Sequence, residues 1–185
     1  MGYGRRWALP GVVQARRERW EHEPVAEFEV RSARAEDARA MAELFAAVAA
    51  ERTGIASEPP VDIDERTAIF EAGIAGPAQT FVAVAGDQVI GLIRVNPSHH
   101  GFGDLAMLVD RDWRGRGVGS ALVRAAIDWA RGQGLHKLSL EVFTHNEAAI
   151  ALYRKSGFAE EGRLTKQYRR ASGELWDTIM MGLLL

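Results

Sequence analysis

The alternation of apolar and polar positions becomes regular at Glu27. Phe28 and Val30 alternate with polar neighbours through EFEVRSA, the period of a half-buried strand closed at Ser32 or Ala33. In RAEDARAMAELFAAVAAE the apolar residues Ala38, Met41, Leu44, Phe45 and Val48 recur at helical spacing on good helix formers, which predicts an amphipathic helix. IDERTAIFEAGI predicts a second, shorter helix ending near Gly73, and Gly76-Pro77 breaks the chain before the next apolar run. TFVAVAGDQVIGLIRV is two apolar strands joined by a tight turn at Gly86-Asp87, an antiparallel hairpin. After a loop at Pro97 to Gly101, FGDLAMLVD predicts a third strand of the meander.

Val118, Leu122, Ala125 and Trp129 share one helical stripe, so a helix begins inside the glycine-rich stretch DWRGRGVGSAL and ends near Gly132 or Gly134. HKLSLEVF is a strand with Leu138, Leu140 and Val142 on one face and Ser139, Glu141 and Phe143 on the other. NEAAIALYRKSGF predicts a short helix capped by Asn146 and stopped by Gly157. EEGRLTKQYRR and LWDTIMMGLLL finish the chain as two strands joined through Ala171-Ser172-Gly173. Mixing strands and helices in this order implies an α/β sheet covered on both faces, antiparallel early and parallel where a helix makes the crossover.

The chain of 185 residues, 47% hydrophobic and 26% charged, fits one soluble domain. Residues 1–24 show no sustained period and are expected to be an arginine-rich extension, a solvated tail or an interaction arm, ahead of a domain at 25–185. A net charge of -2 gives no overall pull toward nucleic acid or an anionic membrane, so any charged site is local. The absence of cysteine excludes disulfides, thiolate ligands and a cysteine nucleophile. His99 and His100 are adjacent in a loop rather than spaced as a helical ligand pair, and no metal is expected. No apolar run approaches the ~20 residues that span a bilayer, and no signal peptide is legible, so a cytoplasmic protein is expected.

Gly115, Gly117 and Gly119 stand between a strand and a helix N-terminus. That is where unpaired backbone N–H groups and the positive end of the helix dipole converge on an anion. No Gly-Lys-Ser/Thr comes after them, which excludes a Walker loop, and the Gly-x-Gly-x-Gly spacing is not the dinucleotide fingerprint. A purely structural tight turn is the alternative.

RGRGVG matches R/Q-x-x-G-x-G, and LEVFTHNEAAIALYRKSGF looks like a second signature segment; together they resemble the GNAT superfamily of N-acetyltransferases. The resemblance extends over roughly Glu27 to Leu185 and points to branches acting on amino acids and other small molecules or on ribosomal-protein alanine. It implies a GNAT fold, a mixed sheet of about seven strands with about four helices on both faces. It also implies acetyl-CoA as cosubstrate, its pyrophosphate held by Arg114, Gly115, Arg116, Gly117, Val118, Gly119 and Ser120. The pantetheine arm would lie along the main chain of Met107, Leu108 and Val109. Asn146 resembles the family's coenzyme-contacting asparagine, with a purely structural N-cap as the alternative.

By the same resemblance Tyr153, seven residues after Asn146, is the acid that protonates the departing thiolate; a core-edge aromatic is the alternative. Glu141, five residues before Asn146, is the leading base, with Asp104 in reserve and a merely solvated Glu141 as the alternative. Glu58, Asp62, Asp64 and Glu65 are an acidic surface that either attracts a cationic amine or is plain surface, while Tyr168, Arg169 and Arg170 suit a carboxylate-bearing amine. The expected reaction is acetyl transfer to a primary amine of a small molecule: an amino acid, polyamine or xenobiotic amine. The alternatives are a protein N-terminal acetyltransferase and a non-catalytic acyl-CoA-binding module whose arginine-rich arm contacts a partner. Homodimers are common in the resembling family, and no interface is legible in the sequence.

Overall fold

A computed structural model describes residues 27–185; the expected extension at 1–24 lies outside them. The strands are β1 (Glu29–Ser32), β2 (Gln79–Ala85), β3 (Gln88–Pro97), β4 (Phe102–Val109), β5 (Lys137–Phe143), β6 (Ala159–Arg169) and β7 (Leu175–Leu184). The helices are α1 (Ala38–Ala50), α2 (Ile63–Ala75), α3 (Val118–Gly132) and α4 (Glu147–Lys155). All seven strands form one sheet in the order β1-β2-β3-β4-β5-β7-β6. Only β4 and β5 run parallel, because α3 carries the chain across between them; the other neighbours are antiparallel.

Each sheet face has its own core. On one, Val118, Leu122, Val123, Ala126 and Ala130 of α3 and Ile150 and Tyr153 of α4 pack on Ile90, Ile93, Leu105, Leu138, Leu140 and Met181. On the other, Met41, Leu44 and Val48 of α1 and Phe70 of α2 cover Val82, Leu92 and Leu108. The buried stripe of α3 is thus centred on Val118, Leu122, Ala126 and Ala130, whereas Ala125 and Trp129 are only partly buried. Small residues turn inward because α3 lies close to β3: a Cβ at Gly91 would stand 3.0 Å from Val118 and 3.1 Å from Leu122.

Two helix boundaries differ from the periodicity. A 3₁₀ turn at Ala35–Asp37 precedes α1, because the Asp37 carboxylate is engaged by Arg31 at 2.7 and 2.8 Å and by the Arg34 N–H at 2.7 Å. α2 runs past Gly73 to Ala75 and stops at Gly76, whose backbone is extended.

Candidate active site

The turn after β4 is built for exposed backbone. Asp110 accepts from the Asp112 N–H at 2.9 Å and caps the 3₁₀ turn Arg111–Trp113. Gly115 (φ +75°) and Gly117 (φ +88°) then take the left-handed conformation, with Gly117 as N-cap of α3. A Cβ at either glycine would meet no described residue within 4 Å, so the space beside these glycines is open. The first-turn N–H groups of Val118, Gly119 and Ser120 have no helical acceptor and share this N-terminus. Gly119 has a second reason to be glycine. A Cβ there would stand 2.9 Å from Leu152 of α4 and 3.6 Å from Met107 of β4.

The arginines of the turn divide their work. Arg114 forms a bidentate pair with Glu51 at the end of α1, 2.7 Å at both contacts, and its Nε donates to the Val109 carbonyl at 3.1 Å. This pairing holds the Glu51 carboxyl below its ordinary range and ties the turn to α1. Arg116 lies over the Trp113 ring at 5.1 Å and reaches Glu27 only at 3.9 Å on an exposed surface, so its charge remains available.

β4 and β5 are hydrogen-bonded from Phe102/Lys137 to Leu105/Leu140. Beyond that step Ala106 to Val109 pair only with β3, and Glu141 to Phe143 only with β7. The sheet opens there, leaving main-chain groups of Met107, Leu108 and Val109 on a free edge that an extended arm can join.

Beside the opening, on the α1/α2 face, lies a polar cluster. Glu141 accepts from the Thr178 hydroxyl in a short hydrogen bond and from the Tyr168 hydroxyl at 3.4 Å. Asp104 lies on the same face of the adjacent strand, opposite Ser139. Asp104 is exposed as a residue, yet its carboxyl is partly desolvated. That desolvation first, and the Glu141 charge second, raise it above its ordinary value. Burial, followed by the Glu141 charge, likewise raises the Tyr168 phenol.

On the opposite face Asn146 caps α4, its Oδ1 accepting from the Ala149 N–H at 3.2 Å. This is the structural role of Asn146; its side-chain NH₂ donates to no described residue. Tyr153 is 6% exposed and packs edge-on to Phe158 with centroids 5.7 Å apart. Burial pushes its phenol far up, so it stays protonated throughout the working pH range.

The residues expected to select the acceptor are mostly employed elsewhere. Arg170, 4% exposed, donates to the carbonyls of Ala56 (2.8 Å), Ile55 (3.3 Å) and Arg52 (3.4 Å), pairs with Glu58 and lies 4.2 Å over the Trp176 ring. It pins the α1–α2 loop to the last hairpin. His145 adds a second tie, 3.0 Å from the Thr53 carbonyl. Asp62 caps α2 through the N–H groups of Asp64 and Glu65, Asp64 pairs with Arg39, and Glu58 also accepts from the Ala171 N–H. Of the acidic group only Glu65 keeps a side chain without such a partner among the described residues. The roles of Glu51 and Arg170 had no signal in the sequence, because their partners lie 63 and more than 100 positions away.

A glycine-lined helix N-terminus thus stands beside two diverging strands, with Asp104 and Glu141 on one face of them. The profile of the acetyltransferase (GNAT) family matches residues 17–158, and the chain belongs to that family. It is 33% identical over 137 residues to an L-methionine sulfoximine/L-methionine sulfone acetyltransferase of Pseudomonas paraeruginosa, across 71% of this chain and 79% of the relative. Over a shorter stretch of 65 residues it is 48% identical to the N-alpha-acetyltransferase RimI of Mycobacterium tuberculosis, 35% of this chain and 39% of the relative. The crystal structure of a ribosomal-protein-alanine N-acetyltransferase from Brucella melitensis superposes with a TM-score of 0.77 at 28% identity. It covers 85% of this chain and 99% of that one.

Proposed function

We propose that the protein transfers acetyl from acetyl-CoA directly to the primary amine of a small molecule, with free amino acids as the leading class. The observation that carries the reading is the Asp104–Glu141 carboxylate pair beside the opening between β4 and β5, the position from which an amine reaches a thioester lying along the free edge. The substrate named for the Pseudomonas relative, which matches most of both chains, supports the amino-acid class.

Alkyl amines titrate near ~10 and α-amines near ~8, so a proton acceptor is needed at neutral pH. Asp104 serves better than Glu141. Desolvation and the Glu141 charge raise its pKa, while both Glu141 oxygens already accept hydrogen bonds. Asp104 takes one proton from the ammonium, and the freed amine attacks the thioester carbonyl carbon. As the C–N bond forms the C–S bond breaks, its electron pair passing to sulfur. Tyr153, held protonated by burial, donates to that thiolate and regains a proton through water from the excess proton left on nitrogen, while Asp104 returns its proton to solvent. The amides from Gly115 to Ser120, with Arg116, hold the pyrophosphate, and the free edge of Met107, Leu108 and Val109 holds the pantetheine. The NH₂ of Asn146 is left to contact the coenzyme. We place the reaction in the cytoplasm.

Acetylation of a protein N-terminus is the second reading, favoured by the RimI segment and by the Glu141, Asn146 and Tyr153 spacing. Acetyl-CoA-dependent thiol release decides between them when measured against pooled amino acids, polyamines, aminoglycosides and short peptides with free N-termini. Turnover of the amino-acid pool is expected. Turnover confined to peptides overturns the small-molecule reading, and silence in every pool overturns direct transfer to an amine.

A further inference from the structure

The cations of the α1/α2 side are mostly spoken for: Arg31 by Asp37, Arg39 by Glu43 and Asp64, and Arg170 by the loop it pins. Arg94 differs. It lies within β3 between the buried Ile93 and Val95, and its own side chain is half-buried. Among the described residues it makes one side-chain hydrogen bond, from Nε to Asn96 Oδ1 at 2.9 Å, and no ion pair. Asn96 thereby steadies the guanidinium and leaves the forked Nη1 and Nη2 groups, the pair that matches a carboxylate, without an acceptor among the described residues.

The fold makes room for this guanidinium. Gly73, buried on α2, faces it so closely that a Cβ there would stand 2.7 Å from Nη1 and 3.1 Å from Cζ. Any side chain at position 73 would displace the head group, which is a reason for a glycine inside a helix.

Register relates Arg94 to the proposed chemistry. Arg94 is opposite Ala106, and Asn96 is opposite Asp104, so Arg94 and Asp104 share a face one register step apart on neighbouring strands. Such diagonal positions lie about 7–8 Å apart. The two form no ion pair with each other; Asp104 stands one residue before the last β4–β5 pair, and Ala106, opposite Arg94, is the first residue beyond it. A cation and an anion held apart in this way complement a zwitterion.

We propose that Arg94 reads the carboxylate of the acceptor, making a free α-amino acid the substrate class, with its amine directed to Asp104. This rests on the small-molecule acetyltransfer proposed above. A protein N-terminus carries a neutral peptide group where a free amino acid has its carboxylate, and a polyamine has no anion at all, so neither would use Arg94.

The test uses the full chain and its R94Q and G73A variants at saturating acetyl-CoA. kcat/KM is measured for a panel of L-amino acids, and the best substrate is compared with its carboxamide, both rates corrected to free-amine concentration. The wild type should prefer the acid by ~100-fold or more. R94Q should erase most of that preference by raising the KM of the acid and leaving the carboxamide within about threefold, with the acetyl-CoA KM unchanged. G73A should move the same ratio in the same direction by less, since it shifts the guanidinium without removing it. Equal use of acid and carboxamide by the wild type, or equal losses on both in R94Q, overturns the subsite. Turnover of polyamines or peptides but of no free amino acid overturns it and leaves acetyl transfer standing. Silence toward every amine overturns the functional reading and the subsite with it.

Discussion

Gly117 and Gly119 are two residues apart in one turn of sequence, yet the structure gives them different reasons to be glycine. Replacing each with alanine separates those reasons. At Gly117 the cost to the free protein is backbone strain, because φ is +88° and no described residue lies within 4 Å of the new Cβ. An L-residue in the left-handed region costs about 1–2 kcal/mol. For a chain of this size that lowers Tm by roughly 3–6 °C. The methyl also enters the space over the amides, where it keeps a diphosphate from one or two N–H groups. Charge-assisted contacts contribute about 1.5–3 kcal/mol each, so coenzyme affinity should fall at least ~10-fold.

At Gly119 the backbone is helical, and the new Cβ stands 2.9 Å from Leu152 Cδ2. Overpacking of this kind costs about 1–3 kcal/mol, a similar loss of Tm, but the amide stays where it was and affinity should hold within about threefold. Stability alone cannot tell the variants apart; the rise in Tm on adding coenzyme A can. At a hundred times Kd a ligand stabilises by about 2.7 kcal/mol. Calorimetry with and without coenzyme A, together with titration to obtain Kd, should show that rise cut to about half or less in G117A and retained in G119A. If G117A keeps it and G119A loses it, the assignment of open space over Gly117 to the diphosphate is wrong.

The site and its supports set three further outcomes. If Asp104 is the base, the acidic limb of kcat/KM lies above the ordinary aspartate value, since activity needs the raised group ionised. E141Q, by removing the neighbouring charge, should move that limb to lower pH, and D104N should cost ~10²-fold or more in kcat; an unmoved limb in E141Q returns the base to another group. Y153F should lower kcat with little change in coenzyme Kd, and the wild type should show no basic limb from this phenol below about pH 10; full activity in Y153F, with chemistry limiting, removes it from the mechanism. Asp37 is held below its ordinary value chiefly by Arg31. Its contribution is therefore complete above that ordinary value and is lost as pH falls through the lower folded value. D37N should cost about 2 kcal/mol at pH 7 and almost nothing at the acid end of a denaturation series, a convergence that chemical unfolding checks directly.

Much of the frame was legible because it is local. Period-two alternation marked the strands, the Gly86-Asp87 turn marked the hairpin, and the glycines after MLVD marked a helix start with bare amides, all properties of neighbouring residues. The limits of local reading show in α3, whose inward face is set by how near the helix lies to Gly91 rather than by the widest apolar stripe. They show again in side-chain employment. Arg170 reads as a ligand for substrate until its guanidinium is found closing on three loop carbonyls, and Arg114 as a free charge until Glu51 is found beside it.

Apolar periodicity and glycine spacing by themselves determined the element order and the glycine turn before α3, because each depends on contacts within a few residues along the chain, and motif resemblance pointed to the family. Only the tertiary structure decided which charges are consumed and which are left over. Arg94 and Asp104 acquire a joint meaning from strand register, and Gly73 from a helix laid across β3. An ion pair or a steric opening between distant segments depends on distances of a few ångströms that no local pattern encodes, so the acceptor side of the site is a property of the folded sheet.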